Sequence, residues 1–265
     1  MGIVSSRIDA FQETQNPLRP ERPPLTGQSG LQALQRAEAL DEYRKQVAAS
    51  SINRLARAGQ DYVPSPFTVK RSVPPANPMD PWPAGQVIWM DQSADQGLPH
   101  TRPPYYICMS RTFPTDDLAN TLLHERVHLS QRANKSAWDT LLADLWDFKP
   151  WVGAIPSDID SRRRINPDLM WAPLYRWKDR YVPLALFQST TQPDLQEIDL
   201  VWWDTQARAL HREAPPGWTE FFGTNPAGEH PFEIAAYLVA ASPSQNKAYQ
   251  ALKSRLSELP RKELF

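Results

Sequence analysis

Leu122-Leu123-His124-Glu125-Arg126-Val127-His128-Leu129-Ser130-Gln131 decides how this chain is read. On an α-helix, residues four apart share a face, with Cβ atoms roughly 5–6 Å apart. His124 and His128 would therefore present two imidazoles side by side, able to converge on one ion at Zn–N distances of about 2.0–2.1 Å. Glu125 is too close in sequence to ligate the same ion easily. It is well placed to take a proton from a water held there, whose pKa zinc lowers towards neutrality. The chain has only five histidines, so the spacing is uncommon by chance. The plainer alternative is a helix that carries two histidines and a glutamate on a solvated face.

The surroundings read as a helix in a core. Pro114-Thr115-Asp116-Asp117 marks its start, with Thr115 as N-cap and acids in the first turn, where the helix dipole favours them. The helix is predicted to run to about Arg132, with Leu118, Leu122, Leu123 and Leu129 facing the core. A second helix is predicted from Ser136, with Asp139 completing a capping box, to about Phe148. Upstream, Gln86 to Met90 and Tyr105 to Ser110 are short apolar runs between turn signals and read as strands.

Further along, Tyr181 to Phe187 and Ile198 to Trp203 read as strands, with Pro183 demoting the first to an edge or a bulge. The rest of 149–228 reads as aromatic-rich loop. Trp202 and Trp203 pack in the core or at its edge, and Trp171, Tyr175 and Trp177 either pack or line a cleft. Ser161-Arg162-Arg163-Arg164 reads as a solvated basic loop, and His100 and His211 as surface histidines. His230-Pro231-Phe232-Glu233 opens a helix with proline at its favoured first position, running to about Ala241. Another helix follows from about Ser244 to Leu259.

The N-terminal third differs in character. Residues 1–28 read as an extended, proline-bearing arm, and one helix is predicted from Ser29 as N-cap to about Ala58, with Gly59 ending it. That layer either docks on the main domain, the simpler reading, or binds a partner. A proline-rich connector follows, so the division is 1–84 for arm, helix and connector, and 85–265 for the catalytic domain. Proline accounts for 27 of 265 residues, roughly twice its usual share of about 5%, which predicts a loop-rich molecule.

Composition excludes several classes. The formal net charge of −1 gives no global steering towards nucleic acid, and none is expected as a partner. No apolar run reaches the roughly 18–20 residues of a membrane span, and the N-terminus lacks a signal-peptide core. Cys108 is the one cysteine, so no intrachain disulfide forms; it reads as a buried small hydrophobe, and the chain as cytoplasmic or intracellular. Met1-Gly2-Ile3-Val4-Ser5-Ser6 matches the N-myristoylation pattern. An acyl chain on Gly2 would give weak membrane attachment.

With His124, Glu125 and His128 on a helix, the chain resembles the zincin superfamily of zinc metallopeptidases, in the variant with a Gln three residues beyond the second His. The resemblance covers roughly residues 85–241. It implies an α+β, zincin-like domain with a small, antiparallel-type sheet and an active-site helix. It also implies Zn2+ as cofactor, a peptide or protein substrate, and an edge strand that binds substrate backbone, either Gln86 to Met90 or Tyr105 to Ser110. The metzincin pattern fails, because Gln131 and Asn134 stand where Gly and His belong. The glutamate-type pattern fits, with Glu233 of Glu233-Ile234-Ala235-Ala236 as third metal ligand and small residues letting the two helices approach. His230 is the rival ligand, or else an N-cap or an oxyanion donor. Tyr237 stands where many relatives carry an acid that orients a zinc histidine. It either takes that role through its hydroxyl, stabilises the tetrahedral intermediate, or simply packs, with Asp117 or a backbone carbonyl as other orienting groups. The resemblance leads to a zinc peptidase with Glu125 as general base. The alternatives are a non-catalytic assembly protein on the same scaffold, membrane- or particle-associated, and a toxin or effector acting on one host protein.

Overall fold

The computed structural model describes residues 27–65, 72–73, 82–91, 93–114, 116–224 and 228–260. The arm, Gly2, Thr115 and most of the connector prolines lie outside them. The fold is mixed α+β, with three N-terminal helices, two small sheets and a helical layer between the sheets.

The predicted N-terminal helix is instead three: α1 (Gly27–Asp41), α2 (Tyr43–Ala49) and α3 (Ser51–Ala56). Glu42 adopts left-handed backbone (φ 51°) between the first two. Ser50 is extended and accepts the Asn53 N–H, restarting the chain as α3. Ser29 therefore lies within α1 rather than capping it. The broken apolar stripe now has an explanation, since each short helix buries its own residues. Ala33, Leu34 and Ala37 pack with Ile88, Met90, Tyr106 and Cys108, while Ile52 and Ala56 pack with Phe187 and Leu195. The layer is docked.

The first sheet has the order β1-β2-β4-β3, from β1 (Ser72–Val73), β2 (Gly85–Met90), β3 (His100–Arg102) and β4 (Tyr106–Ser110). The expected strands β2 and β4 pair in parallel, Val87 opposite Ile107. Residues 87–90 and 106–109 are continuously apolar, as strands covered on two faces must be. β3, unpredicted, adds antiparallel to β4.

The motif helix α4 (Leu118–Ala133) begins after Asp117 and lies across this sheet. Leu118, Leu122 and Leu129 face Val87, Ile107 and Met109, while Val127 joins the main core on the opposite side. α5 (Lys135–Trp146) starts one residue earlier than expected and ends at Trp146. Its capping box is absent: Asn134 is the N-cap position, and Asp139 instead bonds Lys135 and Tyr175.

The second sheet is an antiparallel meander of β5 (Phe148–Trp151), β6 (Leu174–Trp177), β7 (Tyr181–Phe187), β8 (Ile198–Asp204) and β9 (Ala209–His211), with the short helix α6 (Ser157–Asp160) after β5. Tyr175 and Trp177, expected in loop, thus sit on a strand and are buried. Pro183 lies inside β7, opposite Trp202. Phe187, an even number of residues away, turns its N–H from β8 towards Arg162, so the N–H that Pro183 lacks falls on that same side, between pairings. Helices α7 (Trp218–Phe222), α8 (Pro231–Ala241) and α9 (Lys247–Arg255) follow β9. The main core joins α4, α5, α7, α8 and α9 to aromatic side chains of the second sheet, Trp202 among them; Trp203 faces a smaller cluster on the other side of that sheet. Among the described residues no helix is long and apolar enough to cross a membrane.

Candidate metal centre

Two helices bring the ligands together. His124 and His128 lie on α4, and α8 crosses it with fully buried Ala235 and Ala236, whose small side chains allow close packing. α8 starts where predicted because Pro231 follows His230 at the N-cap. Its first turn then delivers Glu233 to the histidines. His124 Nε2 lies 3.0 Å from His128 Nε2 and 3.5 Å from Glu233 Oε2. His128 Nε2 lies 3.5 Å from Glu233 Oε1. One ligand atom from each of the three residues lies within 4.8 Å of the others. Two Zn–N bonds of about 2.0–2.1 Å at a tetrahedral angle set their nitrogens roughly 3.3 Å apart, close to this spacing.

The donor set can be checked atom by atom. The Phe232 carbonyl can only accept, so the Gln131 amide nitrogen faces it at 2.9 Å. Gln131 Oε1 is thereby turned to His128 Nδ1 at 2.8 Å. Nδ1 must then carry the proton, leaving the Nε2 lone pair directed at His124 and Glu233. Gln131 is the group that orients His128, a role that sequence alone assigned elsewhere. Asp117 lies seven residues before His124, at the start of α4, and makes no capping bond. Tyr237 makes no hydrogen bond to either histidine; it packs edge-on against the His124 ring, centroids 4.4 Å apart, and fixes that ring by contact.

The surrounding carboxylates favour a positive charge at this point. Although His128 is buried, Glu233, Asp168 and Glu125 raise its pKa to about 10. Glu233 is pulled the other way: despite burial, the two imidazoles hold its carboxyl well below the usual range. A proton and a divalent cation both answer such a field, and the neutral donor geometry suits the cation. The residues fit zinc.

Glu125 is different. It is 2% exposed and its Oε2 is buried without a hydrogen-bond partner. Burial, then Asp168 and Glu233, raise its pKa well above the ordinary carboxylate value. A buried carboxylate left unpaired is costly to a fold. With His124 and Glu233, it lines a cavity of about 400 Å³ whose apolar walls include Leu98, Phe113 and Leu195.

His230 drops out of the ligand and oxyanion roles. Nδ1 accepts the Phe232 N–H and Nε2 donates to the Pro173 carbonyl, so both ring nitrogens are used; burial lowers its pKa to about 4. It is the N-cap. His100 is not on the surface: it is 2% exposed, bonded to Tyr62 and the Leu98 carbonyl, and part of the cavity wall. His211 is half-exposed on β9. Trp171 stacks on Phe232 and Tyr175 meets His230 edge-on, so both support the start of α8 from behind. Cys108 is fully buried, which pushes its thiol up to about 12.

Neither strand expected to form a free edge does so, because β2 and β4 are both internal. The outer edge of β3 is also engaged: Asp168 Oδ1 accepts from the N–H and hydroxyl of Thr101, each at 2.6 Å. Residues 161–164 are not simply a solvated loop, since Arg164 turns inward to Glu229 at 2.5 Å. Of Asn166, Asp168 and Glu229, the first two lie in Asn166-Pro167-Asp168, an N-cap with proline at the first position of a 3-10 turn, but that local signal does not point to the metal centre, and Glu229 carries none. No protein-family model matches the chain, and none of the curated proteins or solved structures does.

Proposed function

We propose that the chain is a zinc-dependent hydrolase of peptide bonds, zincin-like in arrangement, in which His124, His128 and Glu233 hold the ion and Glu125 is the general base. The observation that carries this reading is the convergence of three ligand atoms within 4.8 Å beside a buried, unpartnered carboxylate on an open cavity. Zinc held there would supply Lewis acidity and bring the pKa of water towards neutrality. Glu125, its proton affinity raised by burial, is suited to take a proton from water and hand it to the departing amine. Tyr237, on the cavity wall, keeps its hydroxyl protonated through partial burial and the carboxylates of Glu233 and Glu125. It is the available donor to a developing oxyanion. The test is incubation with a diverse peptide library read by mass spectrometry. Cleavage that stops with a chelator and returns with zinc supports the reading; intact peptides at stoichiometric zinc loading oppose it.

A non-catalytic assembly role has one observation in its favour, the closure of the β3 edge by Asp168, which removes an extended backbone site beside the cavity. It is distinguished by zinc that binds tightly while no peptide is cleaved.

A further inference from the structure

Glu233 is held from behind by a side chain outside the ligand set. Asn166 Nδ2 donates to Glu233 Oε1 at 2.7 Å and to Glu229 Oε1 at 2.9 Å. Glu229 is 7% exposed and takes Arg164 Nη2 on the same oxygen. One amide thus uses both its hydrogens on two buried carboxylates that would otherwise repel, with Arg164 balancing the outer one.

The other end of the amide is equally engaged. Asn166 Oδ1 accepts the Asp168 N–H at 3.0 Å, capping the 3-10 turn Pro167–Leu169. The backbone leading into Asn166 is fixed by α3 and by its C-cap residue Arg57. Asn53 donates to the Arg163 carbonyl and accepts the Ile165 N–H, both at 2.8 Å. Arg57 Nη2 reaches the Ile165 carbonyl at 2.9 Å. Neither the amide nor its segment can turn away without breaking several bonds.

We propose that Asn166 is the positioning residue of the third metal ligand. Resting on the zinc reading above, its amide sets the rotamer of Glu233, bridges it to Glu229, and leaves Oε2 facing His124. The docked N-terminal layer, through Asn53 and Arg57, is what holds Asn166 in place. Outer groups that orient metal ligands typically matter by about 10–100-fold in metal affinity.

The amide has a cap end and a donor end, and substitution separates them. Asn166→Ser keeps a good capping acceptor, adds no charge and replaces the two amide hydrogens that bridge Glu233 and Glu229 with one hydroxyl hydrogen on a shorter side chain. Asn166→Asp also keeps the cap but puts a third carboxylate against Glu229 and Glu233. Zinc affinity is measured on the full chain by competition with a chelator of known strength, alongside the melting temperature of the metal-free protein. The expected result is a loss of about 10–100-fold for Asn166→Ser and a larger one for Asn166→Asp. Wild-type affinity in Asn166→Ser overturns the positioning role, even if its metal-free melting temperature falls, because a cap alone would behave so. Should Asn166→Asp not fold, Asn166→Ser decides. A wild-type chain that takes up no zinc overturns the metal reading and this proposal with it.

Discussion

Two buried polar clusters border one cavity, and they are finished differently. Under α1–α3, Arg102 bonds Glu38, Asp41 and Tyr62, while Asp95 Oδ1 receives Tyr43 and Arg57. Among the side-chain atoms of that network only Asp95 Oδ2 is buried and unbonded, 3.8 Å from His100. At α4 and α8, by contrast, two Nε2 atoms and a carboxylate face one another at 3.0–3.5 Å. Beside them Glu125 Oε2 has no partner at all. The first cluster satisfies all but that one oxygen, which has an imidazole within ion-pair reach, and serves docking. The second leaves three potential ligand atoms facing one another with an unpartnered carboxylate oxygen beside them, the pattern expected where a fold binds or reacts.

The sharpest way to break that contrast is Glu125→Gln. If the open carboxylate is a general base, peptide cleavage falls by about 10²–10⁴-fold while zinc is retained. Turnover and metal content measured on the same preparation check this, and undiminished cleavage removes Glu125 from the reaction.

Arg102→Leu probes the closed cluster. Its side chain is fully buried against Asp41, which is itself 5% exposed, so truncation strands a buried charge. Stability is expected to drop by about 3–5 kcal/mol in denaturant unfolding. Zinc affinity should change by less than about twofold, because Arg102 bonds none of the ligands and the link between the clusters runs instead through Arg57, which bonds both Asp95 and the Ile165 carbonyl. Equal damage to both would mean that they are one network.

Gln131→Ala sharpens the other side. It frees His128 Nδ1 from the bond that sets its tautomer, and chelator competition should show a loss of about 10–100-fold in zinc affinity. Unchanged affinity would deny Gln131 the orienting role.

The smallest effect concerns pH. Buried His230 has its pKa lowered to about 4 against an ordinary 6.5. The unfolded chain therefore takes up this proton first as pH falls. The stabilising contribution is complete above about 6.5 and is lost progressively as pH drops towards 4. By pH 5.5 the loss is about 1 kcal/mol. Asn at this position still caps α8, so His230→Asn should flatten the slope in urea titrations between pH 7 and 5.5; an unchanged slope would place the titrating group elsewhere.

What was legible in the sequence follows the reach of local signals. The spacing of His124 and His128, the leucines around them and Pro231 at the start of α8 are all helix-scale patterns, and those elements lie within a few residues of their predicted bounds. Glu233 was reachable only through the resemblance, because 105 residues of chain separate it from His128. Gln131 was in plain view, but its role depends on the Phe232 carbonyl, which only the packing of α8 on α4 supplies. Asn166, Arg164 and Glu229 are polar residues in irregular chain and look like surface until the fold turns them inward. The N-terminal helix was misread for a related reason. Its breaks at Glu42 and Ser50 contain no glycine or proline; side chains cap the next turn there, Asp41 and Glu38 accepting the N–H groups of Tyr43 and Arg44, and Ser50 that of Asn53.

The account stands on metal uptake. Wild-type chain and the His124→Ala/His128→Ala double variant are dialysed against dilute zinc, then against metal-free buffer, and both are assayed by elemental analysis. About one zinc per chain in the wild type, and none in the variant, is the expected result. A wild type that emerges metal-free, or a variant that keeps its zinc, contradicts it.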